Sequence, residues 1–233
     1  MIIMKIIADQ LFRRVYDQDS AVCIADLEVR KCRFESCGFS LAKDPTFRSR
    51  IVRSKIIDCT DGGCVIGCFV AEDVLVEGLK TVNLLQTWGA VFRRVVFRGK
   101  IDRVMFSPFV KPMEREGDMQ RSFEKANAEF YRDTDWALDI SEAQFKECDI
   151  RGMPAKLIRR DPETQVVVTR EKAIQGKWRQ LDLSKTWWGT ALQFFIEDGE
   201  PDVVLVAPKR HKKYKALLDG LKLLRDHGVA EPD

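Results

Sequence analysis

The chain has 233 residues, of which 45% are hydrophobic and 32% are charged. This amino-acid composition is typical of a globular protein with a core, and it argues against wholesale disorder. The net charge of +3 is close to balance, so only local patches can point to a nucleic acid or another charged partner.

The chain begins with an apolar run from Met1 to Ala8, which Lys5 interrupts and Asp9 follows. The run is too short for a secretory signal and lacks a small-residue cleavage site. No segment approaches the length of apolar chain that a membrane span needs. The seven cysteines are an odd number, which favours reduced thiols over a disulfide framework. Together these features predict a cytoplasmic protein that does not enter a membrane.

The next part of the chain has apolar residues with a period of five. From Val22 the chain divides into blocks whose first and third residues are apolar or small: Val22/Ile24, Leu27/Val29, Cys32/Phe34 and Cys37/Phe39. The residues between them are mostly polar. A helix would need apolar spacings of three and four, and a long strand would need strict alternation, so a period of five fits neither.

The register is less regular between residues 51 and 106. Apolar pairs recur at Cys64/Ile66, Val74/Val76, Val82/Leu84, Val95/Phe97 and Val104/Phe106. The segment VLVEG that begins at Val74 is echoed by VVFRG, which begins at Val95. This echo predicts coils of about one turn with longer and irregular corners.

Pro108 and Pro112 end this part of the chain. After them, apolar residues recur at intervals of four, three and four, which predicts a helix over 119–131 that packs on the side of the β-structure. Its apolar face consists of Met119, Phe123, Ala126 and Phe130.

The five-residue register then returns at Leu138/Ile140, Ala143/Phe145, Cys148/Ile150 and Met153/Ala155. Over residues 22–41 and 138–157 the sequence resembles the pentapeptide-repeat family, whose motif has a small residue two positions before a central Leu or Phe. Leu27, Leu138 and Met153 are bulkier than the small residue of that motif. The resemblance implies a bacterial protein folded as a right-handed β-helix, with four blocks to a coil and strands stacked at about 4.8 Å.

The C-terminal part carries signals of both strands and helices. They predict a strand from Gln165 to Thr169, a helix from about Ser184, a strand from Asp202 to Ala207 and a helix from about Lys209 to His227. The predicted fold is therefore mainly β: a right-handed β-helix over 1–175 with a helical insertion near 111–135, and a small α/β segment over 176–233 that caps its open end.

Three cysteines within ten residues, Cys59, Cys64 and Cys68, could begin a zinc site. Their spacing matches no standard pair of ligands, and no histidine lies nearby. We therefore expect them to fill the core, with neither a metal nor a cofactor bound.

Signals of catalysis are weak. His211 and His227 are the only histidines, and neither a nucleophile-elbow serine motif nor a phosphate-binding glycine loop occurs. Paired acids at Asp133/Asp135, Glu197/Asp198 and Glu200/Asp202 could act as acid and base, but their positions favour solvated turns. No catalytic residue is assigned.

Two basic segments are the candidate sites for an anion or a partner. The first, at the start of the last helix, consists of Lys209, Arg210, His211, Lys212, Lys213 and Lys215. The second could form a stripe on one wall, and its candidate site residues are Arg93, Arg94 and Arg98. A solvated basic face is the alternative interpretation of both.

These features predict a non-enzymatic protein-interaction module, with a bacterial immunity or antitoxin-like protein as one concrete version. One alternative is binding of nucleic acid or another polyanion through the basic segments. A second alternative is a carboxylate-dependent hydrolase on a wall of the β-structure. The sequence predicts a protein partner in the first case and leaves the oligomeric state open.

Overall fold

The computed structural model describes residues 4–110 and 117–231. Part of the predicted insertion, 111–116, and the first three residues of the apolar start lie outside these described residues. The N-terminal part forms short strands: β1 Lys5–Ala8, β2 Leu11–Arg13, β3 Cys23–Ala25, β4 Leu27–Arg30, β5 Arg33–Glu35 and β6 Gly38–Phe39.

The central part forms strands of very unequal length: β7 Arg50–Ile57, β8 Thr60–Gly62, β9 Val65–Ile66, β10 Val70–Glu77, β11 Lys80–Thr81, β12 Leu85–Trp88 and β13 Val91–Ser107. The C-terminal part mixes strands and helices: α1 Asp118–Arg132, β14 Leu138–Asp139, β15 Ala143–Ile150, β16 Ile158–Arg159, β17 Gln165–Thr169, α2 Arg170–Gln175, α3 Trp188–Asp198, β18 Asp202–Val206 and α4 Tyr214–Asp226.

Parallel pairing organises the β-structure. Eight strands follow one another in the order β1-β4-β7-β10-β13-β12-β9-β6, and β2, β5, β8 and β11 form a separate sheet. The long strand β13 belongs to two limbs, because its first half pairs with β10 and its last residues pair with β12. The sheet thereby turns back on itself as an open half-barrel.

The predicted right-handed β-helix solenoid of pentapeptide repeats is wrong. The strands form an open half-barrel of parallel strands accompanied by helices, an α/β-like arrangement. The spacing between paired residues is unequal, since Lys5 pairs with Leu27, Glu28 with Lys55, and Lys55 with Leu75. Because the sequence separation changes from one pair to the next, the chain does not repeat the equal coils that the family resemblance implied.

The five-residue period marks a local feature instead. In the first set of blocks, a non-glycine residue with positive φ recurs every five positions, at Ala21, Asp26, Lys31 and Ser36. Ala21 precedes β3, and the other three residues are the corners between β3, β4, β5 and β6. In the second set, Ala143/Phe145 and Cys148/Ile150 lie within the single strand β15, where no residue has a positive φ. The same apolar pattern therefore accompanies two different backbone paths.

The predicted helix over 119–131 is confirmed as α1. Phe123 is fully buried against Cys68 and Val110, and the guanidinium of Arg48 lies 4.7 Å from its ring centroid. On the same side, the guanidinium of Arg93 lies 4.5 Å from the ring of Phe130. The aromatic face of α1 thus packs on the outside of the half-barrel.

The C-terminal segment, which in the structure starts at β17, has its own core. Strands β17 and β18 pair antiparallel, and α3 and α4 cover them with buried Trp188, Leu192 and Leu221. The predicted strands at 165–169 and 202–207 are confirmed. The predicted helices are also found, although α3 begins at Trp188 and α4 at Tyr214. No helix in the described part of the chain is long and apolar enough to cross a membrane.

Candidate functional site

The basic segment before α4 is partly neutralised. The ammonium of Lys209 lies 2.8 Å from a carboxylate oxygen of Asp161. The guanidinium of Arg210 lies 3.0 Å from Asp102 and donates to the backbone carbonyl of Ile101 at 3.1 Å. Because Asp102 and Ile101 belong to β13, Arg210 fastens the C-terminal segment to the half-barrel.

The rest of this segment is more exposed. The His211 ring packs edge-on to Trp187 with centroids 5.0 Å apart, and its Nδ1 accepts the backbone N–H of Lys213 at 3.0 Å. Burial lowers the pKa of His211, which favours the neutral ring at pH 7. Lys212, Lys213 and Lys215 are exposed and take no part in the ion pairs found between described residues.

The three arginines of the second basic segment form a ladder with carboxylates on β10. The pairs are Arg93–Glu72 at 3.1 Å, Arg94–Asp73 at 2.6 Å and Arg98–Glu77 at 2.7 Å. The hydrogen bonds from Arg94 also lower the pKa of Asp73. Each arginine charge is thus matched by a carboxylate on the neighbouring strand. That these arginines bind an anion stays a prediction.

Cys59 and Cys64 line the interior of the half-barrel, whereas Cys68 packs against Phe123 beneath α1. The Cys59 thiol donates to the carbonyls of Ile57 at 3.4 Å and Val29 at 3.5 Å. Burial raises the pKa of Cys64 to about 12 and that of Cys68 to about 11. Within residues 4–110 and 117–231, no group of His, Cys, Asp or Glu is arranged to hold a metal ion. Because burial raises the pKa of all three thiols, they are protonated at pH 7.

The N-terminal end of the half-barrel is a feature that the sequence did not predict. The outer side of β1 pairs with no strand among the described residues. On its inner side, the Lys5 N–H donates to the backbone carbonyl of Asp26 at 2.9 Å, and the Asp9 N–H donates to the backbone carbonyl of Arg30 at 3.0 Å. Since alternate residues of a strand turn their backbone groups to the same side, those of Ile6 and Ala8 face away from β4. β1 is therefore an open edge.

Exposed apolar side chains occur on this strand and in the segment that follows it. They are Ile6, Leu11, Val15, Tyr16 and Val22, which make up half of the strongly exposed large apolar residues in the described chain. Tyr16 is 63% exposed although it forms a backbone bridge to Gly38. Concentrated apolar exposure of this kind is typical of an interaction surface.

Three of these exposed residues, Val15, Tyr16 and Val22, line an apolar cavity of about 710 Å³. Its walls come from both limbs and from the separate sheet, and they include Ile7, Phe12, Phe34, Ile56 and Ile66. The rings of Phe12 and Phe34 stack at 5.0 Å within it. We call β1, these exposed side chains and the mouth of the cavity the open end.

A second cavity, of about 330 Å³, lies between β15 and the C-terminal segment. Carboxylates converge there from distant parts of the chain: Glu147, Asp149, Asp198, Glu200 and Asp202. Aromatic residues line the same space: Trp187, Trp188, Phe194 and Phe195. We call this cavity the acidic cleft.

The carboxylates of the acidic cleft are not equivalent. Arg151 bridges Asp149 at 2.8 Å and Asp198 at 3.3 Å, while Asp202 accepts the backbone N–H of Ala155 at 2.8 Å. Burial, followed by the nearby charges of Asp198 and Asp202, raises the pKa of Glu200. A cleft carboxyl with a raised pKa is suited to donate a proton.

The structure separates the acid pairs that the sequence singled out. Asp198, Glu200 and Asp202 meet in the acidic cleft, but Glu197 accepts a hydrogen bond from Gln193 on the exposed side of α3. Asp135 lies 3.5 Å from Arg94, outside the cleft. Asp149, which sequence reasoning missed, comes from β15 and carries no recognisable motif.

Comparisons with protein-family models, with curated proteins and with solved structures give no match to this chain.

Proposed function

We propose that this protein is a non-enzymatic binding module that takes up a polypeptide strand at its open end. The main observation in support is the unpaired edge of β1, together with exposed apolar side chains and an apolar cavity. An added strand gains backbone hydrogen bonds from an open edge, and its side chains gain specificity from neighbouring apolar pockets.

The paired arginines of β13 offer less support for the polyanion alternative. Arg93, Arg94 and Arg98 each lie beside a carboxylate. Binding of nucleic acid would depend mainly on Lys212 and its lysine neighbours, a small set for a phosphate-binding surface. A protein partner is the better-supported proposal, and an immunity or antitoxin-like role is one form of it.

A cytoplasmic location is part of the same proposal. All seven cysteines are free, and Cys23 is exposed. A reducing compartment keeps such thiols from forming disulfides.

An edge-blocking variant tests the proposal. Ile6→Pro removes an N–H that faces away from β4, so it costs no hydrogen bond within the chain and blocks an incoming strand. Ile6→Thr is the matched control, because it removes the apolar side chain and keeps the edge open. Extended peptides selected from a display library on the wild-type protein are expected to bind Ile6→Thr and to lose binding to Ile6→Pro, as measured by calorimetry. Equal binding to all three proteins would refute strand addition.

The acidic cleft supports a second candidate function, a carboxylate-dependent hydrolase acting on a saccharide. Glu200 would act as the proton donor, and Trp187 and Phe194 would stack on sugar rings. The observation that favours it is the convergence of carboxylates and aromatic residues in one cavity.

Release of reducing ends from a panel of oligosaccharides tests this candidate. Hydrolysis is expected to fall at least a hundredfold in Glu200→Ala, because a proton donor contributes about that much or more. Glu197→Ala is the control, since Glu197 lies on the exposed side of the same helix. Absence of hydrolysis by the wild-type protein, or full activity in Glu200→Ala, would exclude this function.

A further inference from the structure

The open end has backbone groups that two copies of the chain can share. Ile6 and Ala8 each turn an N–H and a C=O away from β4, and they are separated by one residue, Ile7. When a two-fold axis relates two copies of this edge, the two strands run antiparallel and can pair. Each hydrogen-bonded pair in an antiparallel ladder exchanges two N–H to O=C bonds.

Of the registers centred on Ile7 and on Ala8, the one centred on Ile7 makes the two edges complementary in charge. If the axis passes through Ile7, Ile6 of one copy lies opposite Ala8 of the other, and the two pairs exchange four hydrogen bonds. The same register sets Lys5 opposite Asp9, the corner residue directly after β1, which has a φ of 55°. Both residues are exposed and without an ion-pair partner among the described residues. Centring the axis on Ala8 instead would set Lys5 opposite Leu11. Opposite charges in register stabilise a strand pair, and a mismatched charge does not.

The exposed side chains of the open end also suit a second copy of the chain. Ile6 is 62% exposed and would cover the small Ala8 of the second copy. Leu11, Val15 and Tyr16 lie at the same end of the half-barrel, and an end-to-end arrangement would cover them and the cavity mouth. The edge has little protection against such pairing, since Lys5 is the only charged residue of β1 and the strand contains no proline.

We propose that a second copy of this chain occupies the open end, forming a two-fold dimer through antiparallel β1–β1 pairing centred on Ile7. This inference rests on the proposed function, because it names the strand that the open edge receives. A hetero-partner would then have to displace the second copy, so the dimer would also regulate access to the edge.

A single engineered cysteine tests the register. Ile7→Cys sets two thiols opposite each other in a non-hydrogen-bonded pair, where the Cα atoms are about 4.5 Å apart and within the range of a disulfide, about 4.4–6.8 Å. The variant is made in a Cys23→Ser background, because Cys23 is an exposed thiol. Mild oxidation is expected to give a disulfide-linked dimer of twice the 26.8 kDa chain mass.

Lys5→Cys in the same background is the matched control. In the proposed register the two cysteines would be offset by about 13 Å along the strands and would not link. Linking of Lys5→Cys but not of Ile7→Cys would overturn the register. A wild-type protein that sediments as a monomer at every concentration would overturn the dimer.

Sedimentation of further variants tests the contacts. Ile6→Pro is expected to weaken dimerisation at least about tenfold, because two of the four shared hydrogen bonds lose their donor. Lys5→Glu and Asp9→Lys should each weaken the dimer, and the double exchange should restore it. A double variant no tighter than the singles would contradict the Lys5–Asp9 pairing, and circular dichroism checks that each variant is folded.

The two proposals fail in different ways. A monomeric wild-type protein that still binds display-selected peptides, and loses them in Ile6→Pro, overturns the second copy and leaves strand addition standing. A dimer that persists in Ile6→Pro, together with peptide binding that Ile6→Pro does not change, overturns both.

Discussion

Gln165 joins the C-terminal segment to the half-barrel, and its replacement gives a sharp test of how the two are held together. The side chain is 1% exposed. Its Nε2 donates to the carbonyl of Ile140 at 3.1 Å, and its Oε1 accepts the backbone N–H of Asp161 at 3.1 Å. Gln165→Met keeps the length of the side chain and removes both hydrogen bonds.

The expected loss of stability depends on the hydrogen bonds that each partner of Gln165 keeps in the variant. The Ile140 carbonyl still accepts the N–H of Ala143 at 3.2 Å, so it loses one of two bonds, worth about 1 kcal/mol. The Asp161 N–H loses its partner inside the protein, which costs about 1–3 kcal/mol. The free energy of unfolding should therefore fall by about 2–4 kcal/mol, and Tm should fall by roughly 5–15 °C for a chain of this length.

Urea denaturation and thermal unfolding measure these changes. Gln193→Met is the matched control, because Gln193 is exposed on α3 and its side chain donates to Glu197 of the same helix. It should change the free energy of unfolding by no more than about 0.5 kcal/mol. If Gln165→Met proves as mild as Gln193→Met, the argument that buried amide bonds hold the two parts together is refuted.

Three further outcomes are expected. Because the pKa of Glu200 is raised, its ionised form destabilises the fold at neutral pH and its protonated form does not. Glu200→Gln should therefore raise Tm near pH 7 and have little effect on Tm near pH 4. A rise that is larger at the lower pH would contradict this sign. Ellman's reagent should titrate one fast thiol in the folded protein, and Cys23→Ser should abolish that reaction; two fast thiols would show that a buried cysteine is accessible. Gly67→Ala should lower Tm because its Cβ would lie 2.4 Å from the backbone oxygen of Ser40, whereas Gly189→Ala in α3, with 3.7 Å to its nearest neighbour, should not; equal Tm values would refute the steric reason.

The elements that the sequence predicted well are those whose signals are local. The 3.6-residue spacing around Phe123 marks α1, and the run of valines around Val167 marks β17, because burial of one helix face or of one short strand leaves a pattern in neighbouring residues. The starts of α3 and α4 were placed several residues too early, since neither helix has a side-chain cap.

The fold class could not be predicted from the same kind of signal. Leu27/Val29 and Cys32/Phe34 have the five-residue spacing and lie on either side of a corner at Lys31. Ala143/Phe145 and Cys148/Ile150 have the same spacing and lie in one uninterrupted strand. Apolar spacing reports which side chains are buried, but the corner depends on φ at the intervening residue. The resemblance to a repeat family therefore extended a local regularity to the whole chain.

The candidate sites depend on pairing that the sequence does not state. Asp149 and Glu200 meet in the acidic cleft although they lie far apart along the chain, and neither belongs to a recognisable motif. The basic stripe of β13 shows the opposite case. Arg94 stands out in the sequence as part of a positive patch, but parallel pairing sets it beside Asp73. A charged segment can be interpreted as a binding site only once the register of the neighbouring strand is known.

The two ends of the half-barrel differ in a way that bears on function. At the C-terminal end the backbone carbonyls of Ile140 and Phe145 receive hydrogen bonds from Gln165 and Arg210, so the C-terminal segment satisfies groups that the strands leave free. At the N-terminal end no described element satisfies the outward groups of β1. Unpaired strand edges favour association unless something covers them. The C-terminal segment covers one end of the half-barrel, whereas apolar side chains stay exposed at the other. The capacity for association is therefore concentrated at the open end. For this reason, variants at Ile6 and Ile7 discriminate between the proposals better than changes in the basic segments.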